Sequence, residues 1–268
     1  MDSPSDGHEL PHAMERVDAW RAARQRAQSM LVALDFDGTL TPIVSHPDEA
    51  HLAPDVATVL DRLVRRVDTR VAVISGRALD DVRRRTGVPG IVYAGNHGLE
   101  MHGPGIAFEH VEAARARPAL QAVARRLEEV LRDLTGAWVE DKGLTVTVHF
   151  RNVSDPRTEL RVRARVIPLV SAFPTLRCTE GRKVVEVRPA VRWDKGHALL
   201  WLAGHADLPD AAPCLYVGDD RTDEDAFRVV AQRQGGIIVA STPPADTAAC
   251  AWLASPADVT SLLVALAA

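Results

Sequence analysis

Between residues 31 and 41 the chain reads Leu-Val-Ala-Leu-Asp-Phe-Asp-Gly-Thr-Leu-Thr, and this stretch restricts the possible fold more than any other. Leu31 to Leu34 form an unbroken apolar run, which reads as a buried parallel strand covered on both faces. The run leads into Asp35 and Asp37, which a strict strand would place on one face. Gly38 and Thr39 then break the pattern and let the backbone leave the sheet. Both acids therefore sit near the carboxyl edge, where open α/β sheets hold their ligands. Two carboxylates crowded at a buried edge repel unless a cation or proton lies between them. Such an arrangement points to chemistry rather than stability.

The rest of the chain supplies the sheet. Pro54 opens a helical pattern through Val56, Leu60, Leu63 and Val67, and Val71 to Ile74 make the next short strand. A further helix and a strand over 91–94 follow. This alternation predicts a parallel sheet with crossover helices. From about residue 110 the rhythm changes. A helix with Leu120, Val123, Leu127, Leu131 and Leu134 on one face precedes a strictly alternating segment, 144–151. Leu144, Val146, Val148 and Phe150 take one side, and Thr145, Thr147, His149 and Arg151 take the other. Alternation predicts an antiparallel sheet with one buried and one wet face. A helix over about 157–173 and a strand over 184–188 complete a small α+β unit before the α/β rhythm returns. The expected organisation is a disordered tail (1–15), a Rossmann-like α/β core (16–112 and 191–268) and an inserted cap (113–190).

Composition excludes several classes of function. A net charge of −4 over 268 residues gives no electrostatic footprint for nucleic acid. Cys178, Cys214 and Cys250 form neither a CxxC pair nor an even framework, which fits reduced thiols. The start lacks the regions of a signal peptide, and no apolar run is long enough to span a bilayer. A cytoplasmic monomer acting on a small molecule is expected, with no membrane partner.

Four separated segments carry the chemistry. Asp35 has the position of a nucleophile that forms an aspartyl-phosphate. Asp37 can protonate the leaving oxygen and then activate water. Ser75, Gly76 and Arg77 offer a hydroxyl and backbone N–H groups at a helix start, a ready phosphate site. Lys195 supplies a fixed cation, and the acid-rich run 218–225 supplies hard oxygen ligands for Mg²⁺. The metal matters because two unit charges at ~4 Å repel by roughly 4 kcal/mol at an effective dielectric near 20.

Together the segments Asp-Phe-Asp-Gly-Thr-Leu-Thr-Pro-Ile (35–43), Ser-Gly-Arg (75–77), Lys-Gly (195–196) and Gly-Asp-Asp-Arg-Thr-Asp-Glu-Asp-Ala-Phe (218–227) resemble the haloacid dehalogenase-like phosphatases. Ala-Gly-Asn-His-Gly-Leu-Glu (94–100), Glu-Asp-Lys-Gly (140–143), His-Phe-Arg (149–151) and Gly-Arg-Lys-Val-Val-Glu-Val-Arg-Pro (181–189) narrow the resemblance to the trehalose-6-phosphate phosphatases. The resemblance implies Mg²⁺ held by the Asp35 and Asp219 carboxylates and the Asp37 backbone carbonyl, with Asp223 in support. It also implies a cap that reads the sugar through Glu140, Lys142, Lys183 and Glu186, joined by Asn96, His97 and Arg151. His149 is expected to be structural. The implied reaction is hydrolysis of trehalose 6-phosphate, the last step of trehalose biosynthesis. Sucrose phosphate and mannosyl-phosphoglycerate are the alternative substrates. A phosphorylated receiver would need neither Asp37 nor a cap, and a non-catalytic sensor would not keep every competent residue.

Overall fold

The computed structural model describes residues 10–44, 46–181, 183–206 and 208–268. Helix α1 (Val17–Ala27) leads into β1 (Leu31–Leu34), α2 (Pro54–Val64), β2 (Arg70–Ile74), α3 (Leu79–Thr86) and β3 (Val92–Gly95). A hairpin follows, β4 (Glu100–Gly103) and β5 (Ile106–Glu109). The next segment holds α4 (Val111–Arg115), α5 (Arg117–Leu131), β6 (Trp138–Asp141), β7 (Val146–His149), α6 (Pro156–Ser171), β8 (Leu176–Gly181) and β9 (Val184–Pro189). The chain then resumes with α7 (Lys195–His205), β10 (Cys214–Gly218), α8 (Glu224–Val230), β11 (Gly236–Val239), β12 (Ala251–Leu253) and α9 (Pro256–Ala267).

The larger sheet has the order β12-β11-β10-β1-β2-β3-β4-β5. It is parallel from β12 to β3, and β4 and β5 are antiparallel. Every β1 side chain is buried. Val32 and Leu34 pack with α1, α2 and α9, while Leu31 and Ala33 pack with α7 and α8. Helices therefore cover both faces, as the unbroken apolar run predicts. Because β1 lies between β10 and β2, the strand order reverses there, and the carboxyl ends of these strands frame a crevice.

The smaller sheet is antiparallel, in the order β6-β7-β9-β8. Its core joins α5 and α6 to Val146, Val148, Val185 and Val187. The opposite face differs from the expected wet surface: Thr145 is 0% and Thr147 3% exposed. This face roofs the larger sheet's crevice, so its polar side chains are shielded by the other unit rather than by water.

Two further expectations change. Residues 1–9 of the expected tail lie outside the described residues, but 10–15 are packed. The Pro11 carbonyl accepts the Trp252 N–H at 3.1 Å, and Ala13 is buried. Edge strand β12 leaves that N–H without a sheet partner, and the incoming chain satisfies it. Helix α2 ends at Val64, leaving Val67 fully exposed.

Candidate active site

Three segments deliver acids and a lysine to the crevice. Asp35 follows β1 directly, and its Oδ2 lies 3.0 Å from Lys195 Nζ. Lys195 begins α7, which Asp194 caps by accepting the His197 N–H at 2.9 Å. The capped start points the lysine inward, where it is 2% exposed. After β10, Asp223 accepts from Lys195 Nζ (2.7 Å), Tyr216 Oη (2.6 Å) and the N–H groups of Asp219 (3.0 Å) and Asp220 (2.9 Å). With four donors on a fully buried carboxylate, Asp223 positions Lys195 and the 219–220 turn. Asp223 is expected among the catalytic residues, in support of the metal site.

Burial raises the Asp35 pKa well above the ordinary range; Lys195 relieves part of this, while Asp223, Asp219 and Asp37 push it further up. Burial alone would lower the Lys195 ammonium, but Asp223 and Asp35 more than reverse it and keep it charged. Asp219 is pushed up to about 7 by burial, then by Asp223, Asp220 and Asp37.

The donor set fits a hard divalent cation. Asp35, Asp219 and Asp223 each place an oxygen within 4.8 Å of the others. One lysine faces these three carboxylates, which leaves two negative charges to be met. Gly38 opens the space: at φ +77° it approaches Asp219 so closely that a Cβ would lie 2.0 Å from Oδ2.

Arg77, expected among the substrate-binding residues, lines the cavity, and its guanidinium turns to the acids. Its Nε and one terminal nitrogen donate to the two Asp37 oxygens, both at 2.7 Å, and another donates to Asp81 at 2.8 Å. It also donates to the Pro47 carbonyl at 2.9 Å. The guanidinium is thus committed to Asp37 and Asp81. Ser75 lines the same cavity, with its Oγ accepting the Arg77 N–H at 3.2 Å.

The roof brings most of the expected sugar readers to this cavity, which has a volume of about 500 Å³ and is lined by Gly76, His97, Glu140, Lys142, Arg151 and Glu186 beside the acids. Lys142 Nζ donates to the Gly76 carbonyl at 3.0 Å and lies 3.8 Å from Glu186. Glu186 pairs with His97 at 3.0 Å. Burial raises the Glu186 pKa, but His97, Lys142 and Arg188 hold it far below the usual range. Arg151 donates to the Val44 carbonyl at 2.6 Å. Asn96 lies behind the lining. It donates to Glu100 (2.7 Å) and the Lys142 carbonyl (3.1 Å) and accepts from Thr145 (2.8 Å), joining roof to floor.

Lys183 is not brought in. It pairs with Glu159 of α6 on the sheet's opposite face. Lys183 precedes β9 in a turn, at φ +63°, and so falls outside the strand alternation that turns Glu186 to the cavity and Val185 and Val187 to α6. Trp138 had gone unnoticed in the sequence, although it shares the Glu140 face of β6. Its ring stacks on His149 (3.9 Å between centroids, 8°) and on His46 of the other unit (5.4 Å, 17°). His149, expected to be structural, also lines the cavity and holds Glu140 at 2.8 Å.

A parallel sheet whose central strand ends in an Asp-x-Asp pair, roofed by an inserted α+β unit, is the architecture of the haloacid dehalogenase-like hydrolases. Residues 33–255 match the family model described as Trehalose-phosphatase. The chain belongs to the trehalose-phosphatase family, a family of phosphoric monoester hydrolases. Probable trehalose-phosphate phosphatase D of Arabidopsis thaliana is 38% identical over 255 residues, covering 90% of this chain and 68% of its own length. Trehalose-phosphate phosphatase of Mycobacterium tuberculosis is 42% identical over 258 residues, covering 94% of this chain and 64% of its own. The C-terminal domain of C. albicans trehalose-6-phosphate phosphatase shares the fold, with a TM-score of 0.79 at 24% identity and coverage of 97% and 98%.

Proposed function

We propose that this chain hydrolyses trehalose 6-phosphate to trehalose and phosphate through an aspartyl-phosphate on Asp35, with Mg²⁺ as cofactor. The observation that carries the reading is one cavity with two chemistries. Its floor gathers carboxylates and a lysine, and its roof carries Glu140, Lys142 and Glu186, whose charge-assisted hydrogen bonds suit a polyol.

The residues divide the work. Lys195 holds Asp35 Oδ2 in place, and the Phe36 N–H donates to Oδ1 at 2.7 Å, so the carboxylate is oriented before substrate arrives. Asp35 attacks phosphorus, and the sugar oxygen leaves with a proton from Asp37. Asp37 then takes a proton from the water that opens the acyl-phosphate. Its fork with Arg77 holds both of its oxygens in place between these transfers. The Asp35 and Asp219 carboxylates, with the Asp37 carbonyl, would hold Mg²⁺, which when bound offsets the repulsion between nucleophile and phosphate. The domain division at 113–190 belongs to the same proposal, as does action as a cytoplasmic monomer. The free cysteines suit a reducing compartment, and among the described residues no helix is long and apolar enough to cross a membrane.

The test is phosphate release from a panel of sugar phosphates, with Mg²⁺ and then with chelator. Trehalose 6-phosphate should be turned over fastest and only with the metal. Faster release from sucrose phosphate, or full activity in chelator, overturns the proposal.

A further inference from the structure

Across the roof sheet, register aligns four polar side chains on the cavity side. Glu140 of β6 stands opposite Thr147 of β7, Thr147 opposite Glu186 of β9, and Glu186 opposite Thr179 of β8. All four line the cavity. Neighbouring strands are about 4.8 Å apart, so the row extends roughly 14 Å across the roof. The two carboxylates have partners, His149 and His97. Among the described residues the two hydroxyls have none: Thr147 Oγ1 and Thr179 Oγ1 are shielded from solvent without a hydrogen bond. Thr145, just before β7, shows the contrast, because its hydroxyl donates to Asn96. A buried hydroxyl without a partner is costly, and a valine would fill similar space without that cost. Among the described residues no contact explains a threonine at either position.

We infer that Thr147 and Thr179 are substrate-reading residues that hydrogen-bond sugar hydroxyls remote from the phosphoryl group, an inference that rests on the reading of the cavity as a trehalose 6-phosphate site. The order of groups along the row suits a polyol. An ionised carboxylate only accepts, whereas a threonine hydroxyl both donates and accepts. A sugar hydroxyl that donates to Glu140 or Glu186 keeps its lone pairs, and the adjacent threonine can donate to them. Glu186, flanked by a threonine on each side, is the centre of the row. A site built to pair a hydroxyl also rejects ligands that lack it, because its own polar groups are then left unmatched.

The experiment compares Thr147→Val and Thr179→Val with Thr147→Ser and Thr179→Ser in the full chain. Each is assayed on trehalose 6-phosphate and on para-nitrophenyl phosphate, with melting temperatures in parallel. Each valine variant should lose about 3- to 10-fold in kcat/KM on the disaccharide phosphate, the size of one neutral hydrogen bond. The same variants should keep their rate on the small ester and melt no lower than the parent. Each serine variant, which retains the hydroxyl, should recover most of the loss. Valine variants that match the parent on trehalose 6-phosphate overturn the inference and leave the substrate reading intact. Equal losses on both esters, or serine variants as weak as valine, make the threonines structural and overturn it too. A parent inert toward trehalose 6-phosphate is a separate result, which removes the substrate reading and the assignment of the row together.

Discussion

Replacing Asp219 by asparagine should stabilise the metal-free protein while disabling the enzyme. Asp219 is pushed up to about 7 because burial and the neighbouring carboxylates disfavour its charge. An unfolded aspartate titrates near 4. Between these values the folded state holds a proton that the unfolded chain has released, so stability falls as pH rises through this window. A difference of roughly three units at ~1.4 kcal/mol each sets a ceiling of about 4 kcal/mol, and partial solvent access reduces the expected gain to about 1–3 kcal/mol. Asparagine carries no charge and escapes the loss. Urea denaturation in chelator should therefore show parent and Asp219→Asn alike near pH 4, with the variant increasingly more stable toward pH 7 and the gap constant above it. Adding Mg²⁺ should stabilise the parent and leave the variant unmoved, since only a native-state ligand site couples to folding. A variant less stable than the parent at pH 8 in chelator would refute the argument that this carboxylate lacks a counter-charge.

Four other substitutions probe the geometry. Gly38→Ala should abolish Mg²⁺-dependent turnover, since its Cβ would occupy the Asp219 carboxylate, and a metal titration of activity checks this. Trp138→Ala removes the stack between roof and His46 and should raise KM for trehalose 6-phosphate by roughly 3- to 10-fold, as expected for lost aromatic pairs; an unchanged KM counts against the contact. Lys183→Ala should leave kcat/KM within about twofold, whereas Glu140→Gln should lower it by roughly tenfold or more on the disaccharide phosphate alone. Steady-state kinetics on both variants separates the two placements.

What the sequence disclosed was local. The run from Leu31 to Gly38 carries strand, acids and exit turn within a few residues, so Asp35 and its place at a sheet edge were legible without tertiary knowledge. Lys195 was legible for the same reason, with its cap immediately before it. Contacts made across the fold were not. Arg77 and Asp37 are 40 residues apart, and nothing in either segment signals a fork between them. Thr145 and Thr147 read as a wet face because alternation reports only which side packs on α5 and α6, not that the other side roofs a crevice. The β4–β5 hairpin left a trace in Pro104 and Gly105, the latter at φ +70°, but a short turn within an α/β rhythm carried too little weight. Lys183 sits in a turn at φ +63°, a backbone conformation that the surrounding apolar alternation does not signal.

The central claim is that Asp35 takes the phosphoryl group from trehalose 6-phosphate, and rapid quench with substrate labelled on phosphate tests it most directly. The parent should show a burst of protein-bound label within one turnover, labile to hydroxylamine as an acyl-phosphate is, and mapping to the peptide that contains Asp35. Asp35→Asn should bind the substrate and show no burst. Label on another residue, or Asp35→Asn turnover within tenfold of the parent, would place the nucleophile elsewhere and contradict the account.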